Sequence, residues 1–283
     1  MNTKEIFGKM LKIKLASEAK ADSPTDVHLE EELDKAVWLM GYPTLRQVFT
    51  QRIQLPAGVD THTVAFTYQR LVAGDTFLAA DVTHMDVDYI DIDVDREKGI
   101  NVGWTRKFIE DTNFDAVAVQ LGEVGRAVEE EEFSYLIGLL EAADESPGVL
   151  TATMGFADFV TGIADLAGAD YQADICLLNP TEYFELIQDE EFMNASVIGG
   201  ETALKDGVIK TTLGVTVFKS TLCTEGTAIF MQTNKAIAVA EIRAKKVEDY
   251  AYPDANLYGF VCSHRYGASV ILPASVRVLV KSN

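Results

Sequence analysis

From Asn113 to Ala143 the chain runs without a proline, and Phe114, Val117, Leu121, Val124, Val128, Tyr135, Leu136, Leu139 and Leu140 recur at steps of three and four. That spacing predicts one amphipathic helix, with Thr112 or Asn113 as its cap. At 1.5 Å per residue it would be about 45 Å long, a spine rather than one layer of an ordinary small domain. Glu145-Ser146-Pro147-Gly148 stops it.

The flanks read differently on its two sides. Upstream, residues 4–20 form a helix candidate with Ile6, Met10, Leu11 and Ile13 toward one face, broken at Ser23-Pro24. Asp26–Met40 is a second candidate, acidic at its start. Residues 44–100 look extended. Val59–Tyr68 and Tyr89–Val94 are strand candidates, and Gly74–Thr83 between them lacks helical periodicity, so the region reads as a long hairpin-like excursion.

Downstream, Met154–Leu166 predicts a helix and Asp174–Leu178 a buried strand. Asn179-Pro180 opens a short helix running through Ile187. Gly199-Gly200 and Gly207 mark loops. Short strands are expected at Val208–Ile209, Leu213–Phe218, Ala228–Met231 and Ala236–Glu241, with a turn at Thr233-Asn234-Lys235. Further strands are expected at Leu257–His264, Ala268–Leu272 and Val276–Val280. The sum is an α+β chain. Its 283 residues, 48% hydrophobic, supply a sizeable core.

Charge divides the chain. The net charge is -20, yet residues 1–20 carry five lysines against two glutamates, a net +3 that leaves -23 on the rest. An acidic body repels nucleic acid and anionic lipid, while a basic arm suggests a separate partner, with the arm read as a solvated, lipid-like or protein-docked amphipathic helix or as a contact to the phosphates of a nucleic acid. No stretch has the roughly 18 uncharged apolar residues of a membrane span, and no secretory signal is visible, so a cytoplasmic origin is expected.

Chemical motifs fail one by one. Asp91, Asp93 and Asp95 stand like the first ligands of a calcium loop, but Arg96 and Val102 occupy the places that need Gly and Glu. A strand with aspartates in water and Ile90, Ile92 and Val94 inward explains them better. Glu129 to Glu132 are consecutive, so they fan around a helix and predict a solvated face or one meeting a basic neighbour. His28, His62, His84 and His264 lie in no metal or nucleophile pattern, and Cys176, Cys223 and Cys262 form no CxxC pair. These read as free buried thiols. No catalytic, cofactor-binding or metal-ligating residue is expected, and no enzyme activity.

Three stretches carry a family resemblance. Gly99–Ala142 holds a strand, a Thr105-Arg106-Lys107 turn, a Phe114-Asp115 helix start and an acidic run. Residues 175–223 hold an apolar strand, Asn179-Pro180 with Tyr183, Gly207-Val208-Ile209, and Gly214-Val215-Thr216-Val217, where Thr216 replaces a common proline. Residues 228–280 hold an Asn234-Lys235-Ala236 turn and, as the sharpest local match, Arg265-Tyr266-Gly267. In this order they resemble the major capsid proteins of tailed phages and tailed archaeal viruses, the Hong Kong 97-type capsid family.

The resemblance implies the Hong Kong 97-type fold. It has an N-terminal arm (1–35), a peripheral domain with the spine helix (36–55, 84–149 and 237–272), an extended β-hairpin loop (56–83), an axial domain (150–236) and a C-terminal strand (273–283). It implies pentamers and hexamers building an icosahedral shell around double-stranded DNA, with the arm touching DNA non-specifically or crossing a neighbour. Portal, scaffolding and decoration proteins are the other expected partners, and the expected location is a virion assembled in the host cytoplasm. Beginning at Met1 without a long acidic or coiled-coil leader, the chain is not expected to carry a fused scaffold. Some relatives cross-link through a lysine in the extended loop. No lysine lies between Lys35 and Lys98, so no such bond is expected. An encapsulin-like nanocompartment shell shares the fold and is the alternative. Acidic soluble hydrolase and calcium module are weaker ones, lacking a constellation.

Overall fold

The computed structural model describes residues 50–281, except 57, 67–86, 106, 108–113, 191, 193–203, 206–207 and 211–212. The helices expected at 4–20 and 26–40 lie outside the described residues. So do the caps Thr112 and Asn113, Gly74–Thr83 and the Gly199-Gly200 and Gly207 loops.

The strands are β1 (Gln51–Gln54), β2 (Thr61–Phe66), β3 (Asp88–Asp93), β4 (Arg96–Thr105), β5 (Gly148–Leu150), β6 (Ile175–Leu178), β7 (Leu204–Lys205), β8 (Val208–Lys210), β9 (Thr216–Lys219), β10 (Thr227–Met231), β11 (Ile237–Tyr252), β12 (Leu257–Val270) and β13 (Val276–Lys281). The helices are α1 (Phe114–Ala143), α2 (Phe156–Gly168) and α3 (Pro180–Gln188), with one further turn at Thr233–Ala236.

Three sheets result. A four-stranded sheet has the order β1-β11-β12-β4, with β1 parallel to β11 and the other pairs antiparallel. A seven-stranded mixed sheet has the order β5-β13-β10-β6-β9-β8-β7. β2 and β3 form an antiparallel hairpin of their own.

The spine helix joins the two larger sheets. Its stripe of Phe133, Leu136, Ile137 and Leu140 packs against Ile175, Leu177, Ile229, Met231, Val276 and Val278 of the seven-stranded sheet. The same cluster takes in Ile237, Val239 and Tyr266 of the four-stranded sheet. Alternation then sends the other residues of each strand to opposite layers. Cys176, Leu178, Ala228 and Phe230 meet Phe159 and Leu166 of α2 and Tyr183 and Leu186 of α3. Strands buried on both faces explain the continuous apolar runs of β6 and β10. On the four-stranded sheet, Ala238 and Ala240 turn away from α1 and meet Leu55, Ile92 and Val94 under the hairpin.

Local chemistry accounts for the shorter elements. Asn179 caps α3 by accepting the Thr181 N–H at 3.1 Å and donates its amide to the Cys223 carbonyl at 2.9 Å. Pro180 occupies the first helical turn, where its missing N–H costs nothing. Thr216, where the resemblance implies a proline, donates its N–H to the Asp174 carbonyl at 2.9 Å, a bond proline has no donor to make.

Two expectations are corrected. The short strand expected at Ala236–Glu241 is a 16-residue strand reaching Tyr252. The two strands expected at 257–264 and 268–272 are one continuous β12. They pair from Ile237↔Val270 to Tyr252↔Leu257, with register shifts near Arg243 that absorb local irregularity.

Candidate functional site: the Arg265-Tyr266-Gly267 anchor

The sharpest sequence motif sits where hairpin, spine and four-stranded sheet cross. Because side chains alternate along β12, Arg265 and Gly267 face the hairpin while His264 and Tyr266 face α1.

On the hairpin side, Gly267 pairs with Ala240, and the chain leaving β3 passes directly over it. A methyl group at 267 would come within 2.0 Å of the Asp93 carbonyl oxygen and 3.0 Å of the Val94 Cα. Only glycine admits that crossing. Arg265 reaches Asp60, at the entry to β2, at 3.1 Å. The hairpin is therefore seated at both its entry and its exit. Its inner face lays Val64, Phe66 and Ile92 onto the sheet. Its outer face carries Thr61 and Thr63, which donate to Asp93 at 3.0 Å and Asp91 at 2.6 Å.

On the helix side, Tyr266 is fully buried and donates its hydroxyl to Glu131 at 2.9 Å. Burial first, and the bond to Glu131 second, push its phenol far above the usual range, so it stays a donor. Its ring meets Tyr135 edge-on at 6.0 Å and stacks on His264 at 4.5 Å. Arg96 and Lys98 of β4 close on Glu131 at 3.2 and 3.3 Å, and the Arg96 guanidinium lies 3.7 Å over the Tyr135 ring.

Behind Tyr266 lies a deeper set. Glu132 of α1 and Glu241 of β11 both pair with Arg52 of β1. The imidazole of His264, 0% exposed, lies between the same carboxylates, with Nδ1 3.7 Å from Glu132 and Nε2 3.8 Å from Glu241. The run Glu129–Glu132 thus divides. Glu130 pairs with Arg126 in water, Glu131 and Glu132 meet basic neighbours, and Glu129 is buried.

A second junction fixes the far end of the spine. Asp144 accepts the Val278 N–H at 3.0 Å and the Arg277 guanidinium at 3.1 Å, and Arg277 also reaches Asp165 of α2 at 2.8 Å. At the end of β13, Lys281 holds Glu182 and Glu185, each at 3.0 Å. Burial alone would lower this ammonium, but hydrogen bonds to those two carboxylates raise it above its ordinary value.

The aspartates of the failed calcium loop lie as expected for a strand: Asp91, Asp93 and Asp95 exposed, Ile92 and Val94 buried, Ile90 half-buried. Among the described residues no three His, Cys, Asp or Glu side chains are arranged to hold a metal. Cys176, Cys223 and Cys262 are buried and form no disulfide, and burial pushes Cys223 up to about 12. Among the described residues no helix is long and apolar enough to cross a membrane. His62 pairs with Ile92 inside the hairpin, and His28 and His84 lie outside the described residues. The setting of His264 was not legible in its sequence surroundings, because the carboxylates beside it come from residues 132 and 241.

Among exposed polar residues, the anchored elements also hold several large apolar side chains outward. Tyr89 is 67% exposed on the hairpin, Val149 70% on the edge strand β5, Tyr252 58% at the ribbon end and Phe184 51% on α3.

A spine helix bridging two sheets, a hairpin seated on one of them and a long β11–β12 pair extended by β4 are the arrangement of the Hong Kong 97-type capsid fold. The capsid structure of the cyanophage P-SCSP1u is similar to this chain at a TM-score of 0.67 and 12% identity, covering 85% of this chain and 88% of that one. The head structure of the Helicobacter pylori bacteriophage KHP40 is similar at 0.61 and 12%, covering 82% and 86%. The holo-SrpI encapsulin complex from Synechococcus elongatus PCC 7942 is similar at 0.58 and 12%, covering 85% and 88%. At such identities the likeness is one of fold. No curated protein matches the chain. The model of the phage capsid protein family matches residues 88–279, and the chain belongs to that family. It is a structural major capsid protein, a component of the virion and not an enzyme.

Proposed function

We propose that copies of this chain close into an icosahedral shell of pentamers and hexamers around a double-stranded DNA genome. The observation that carries this reading is the β2–β3 hairpin, a two-stranded sheet with Tyr89 exposed. A two-stranded ribbon is marginal by itself and gains stability from a surface to lie on. The chain's own four-stranded sheet supplies that surface to the inner face, and a neighbouring subunit covers the outer face that carries Tyr89.

The axial domain is 150–236 and the peripheral domain is 36–55, 84–149 and 237–272. Strand pairing supports extending the projecting loop of 56–83 through β3, and counting β13, from the C-terminal strand 273–283, with the axial body. The basic arm, 1–35, crosses a neighbour or meets packaged DNA through its lysines. Portal, scaffolding and decoration proteins complete the assembly in the host cytoplasm, and no isopeptide bond forms through the lysine-free stretch between Lys35 and Lys98.

Expression of the full chain followed by negative-stain electron microscopy and light scattering tests this. Rings of five and six, or closed shells, are expected. A monodisperse monomer of 31.0 kDa, even with scaffolding protein added, counts against it. A second reading, an encapsulin-like shell, rests on the similarity to the SrpI encapsulin. Cargo protein in place of nuclease-protected DNA inside native particles would decide for it.

A further inference from the structure

We propose that His264 is an imidazolium in the folded chain, and that its proton fastens the spine helix to the four-stranded sheet so that this junction weakens as pH rises.

The geometry carries the inference. Nδ1 lies 3.7 Å from a Glu132 oxygen and Nε2 3.8 Å from a Glu241 oxygen, so each ring nitrogen faces a carboxylate. A neutral imidazole has one N–H and one lone pair. In either tautomer one nitrogen would aim its lone pair at an anionic oxygen. The imidazolium presents an N–H to both.

The surrounding charges agree. Arg52 comes from β1, and Arg96 and Lys98 from β4. Against these three cations α1 sets Glu131 and Glu132, and β11 sets Glu241. Tyr266, stacked on the imidazole, is a neutral phenol committed to Glu131. In the inner set Glu132 and Glu241 share the single cation Arg52, which leaves one negative charge in excess where burial makes it costly, and a protonated His264 balances it, while Arg96, Lys98 and Glu131 lie farther out, 30% to 44% exposed. Arg243 of β11 turns to Glu97 instead.

The sign follows from linkage. A proton held more tightly in the folded chain than in the unfolded one makes stability fall as pH rises. The contribution is complete in mild acid and is lost once the ring gives up its proton. Because Glu132, Glu241 and Arg52 belong to α1, β11 and β1, that loss loosens the spine against the sheet and against the strand that leads into the hairpin.

Thermal unfolding of the full chain beside His264→Gln, from about pH 6 to about pH 9, tests the proposal. The gap in Tm is expected to be widest at the acid end and to close as pH rises. A gap that stays constant or widens overturns it. Should His264→Gln fail to fold, the triple variant His28→Gln, His62→Gln, His84→Gln leaves His264 as the one histidine, and nitrogen NMR of its ring reads the charge directly. Both ring nitrogens protonated at about pH 7.5 is the expected result, and a single protonated nitrogen overturns the proposal. Neither readout depends on shell formation.

Discussion

Gly267 shows how one missing side chain positions a whole hairpin. The Asp93 carbonyl occupies the space a methyl group would need. Gly267→Ala is therefore expected to destabilise the subunit by about 1–3 kcal/mol, the range for forcing extra volume into a packed site. Gly138 gives the opposite case. It lies exposed on α1 with nothing near its Cα hydrogens, so Gly138→Ala removes a helix-weakening residue and should raise stability by about 0.5–1 kcal/mol. Urea denaturation of both variants checks the pair, and equal effects would show that the crossing over Gly267 is looser than the structure indicates. The motif Arg265-Tyr266-Gly267 was visible in the sequence, but its division of labour was not. Consecutive residues on one strand serve opposite faces, and their partners, Asp60, Glu131 and Asp93, lie over a hundred residues away.

Among the elements, the spine helix was the most legible, because its stripe obeys the helical period and Pro147 marks its end. β11 was the least. Arg243, Lys246, Glu248 and Asp249 break the alternation that marks a half-buried strand, so the sequence reads as loop beyond Glu241. Pairing with β12, rather than burial, sustains the strand there. The short strands β5 and β7 escaped for a related reason, since two or three residues carry no period at all. The energetic weight of the spine lies at Leu140, fully buried where both sheets meet the helix. Leu140→Ala should cost about 2–5 kcal/mol through lost burial and the cavity left behind. If the spine couples the two sheets, unfolding followed by tryptophan fluorescence in a Trp38→Phe background, which leaves Trp104 on β4 as the one tryptophan, and by far-ultraviolet dichroism should shift together. Separate transitions would mean that the sheets unfold independently.

At the scale of the molecule, the pattern is a firmly anchored frame presenting apolar positions to solvent. The hairpin is held at its base by Arg265, Gly267 and the residues beneath it, yet Tyr89, Val87 and Val59 stand in water. An isolated subunit gains nothing from that exposure. Covering a tyrosine removes about 150 Å² or more of mostly apolar surface, worth on the order of 3 kcal/mol at each contact. The subunits also carry a net charge of -20 each, so their approach is opposed by repulsion that salt screens. Tyr89→Asp removes the apolar gain and adds to the repulsion at a position two-thirds exposed in the subunit, 67%. Its unfolding midpoint should match the parent chain, since exposed substitutions typically stay within about 0.5 kcal/mol. Its assembly should need a subunit concentration at least about tenfold higher, as 1.4 kcal/mol per contact already implies. Light scattering against concentration at two salt strengths reads both effects. Added salt should ease assembly of both chains and narrow the difference without abolishing it, because the lost apolar contact is not screened. Unchanged assembly by Tyr89→Asp at low salt would remove the hairpin from the contacts that hold the shell.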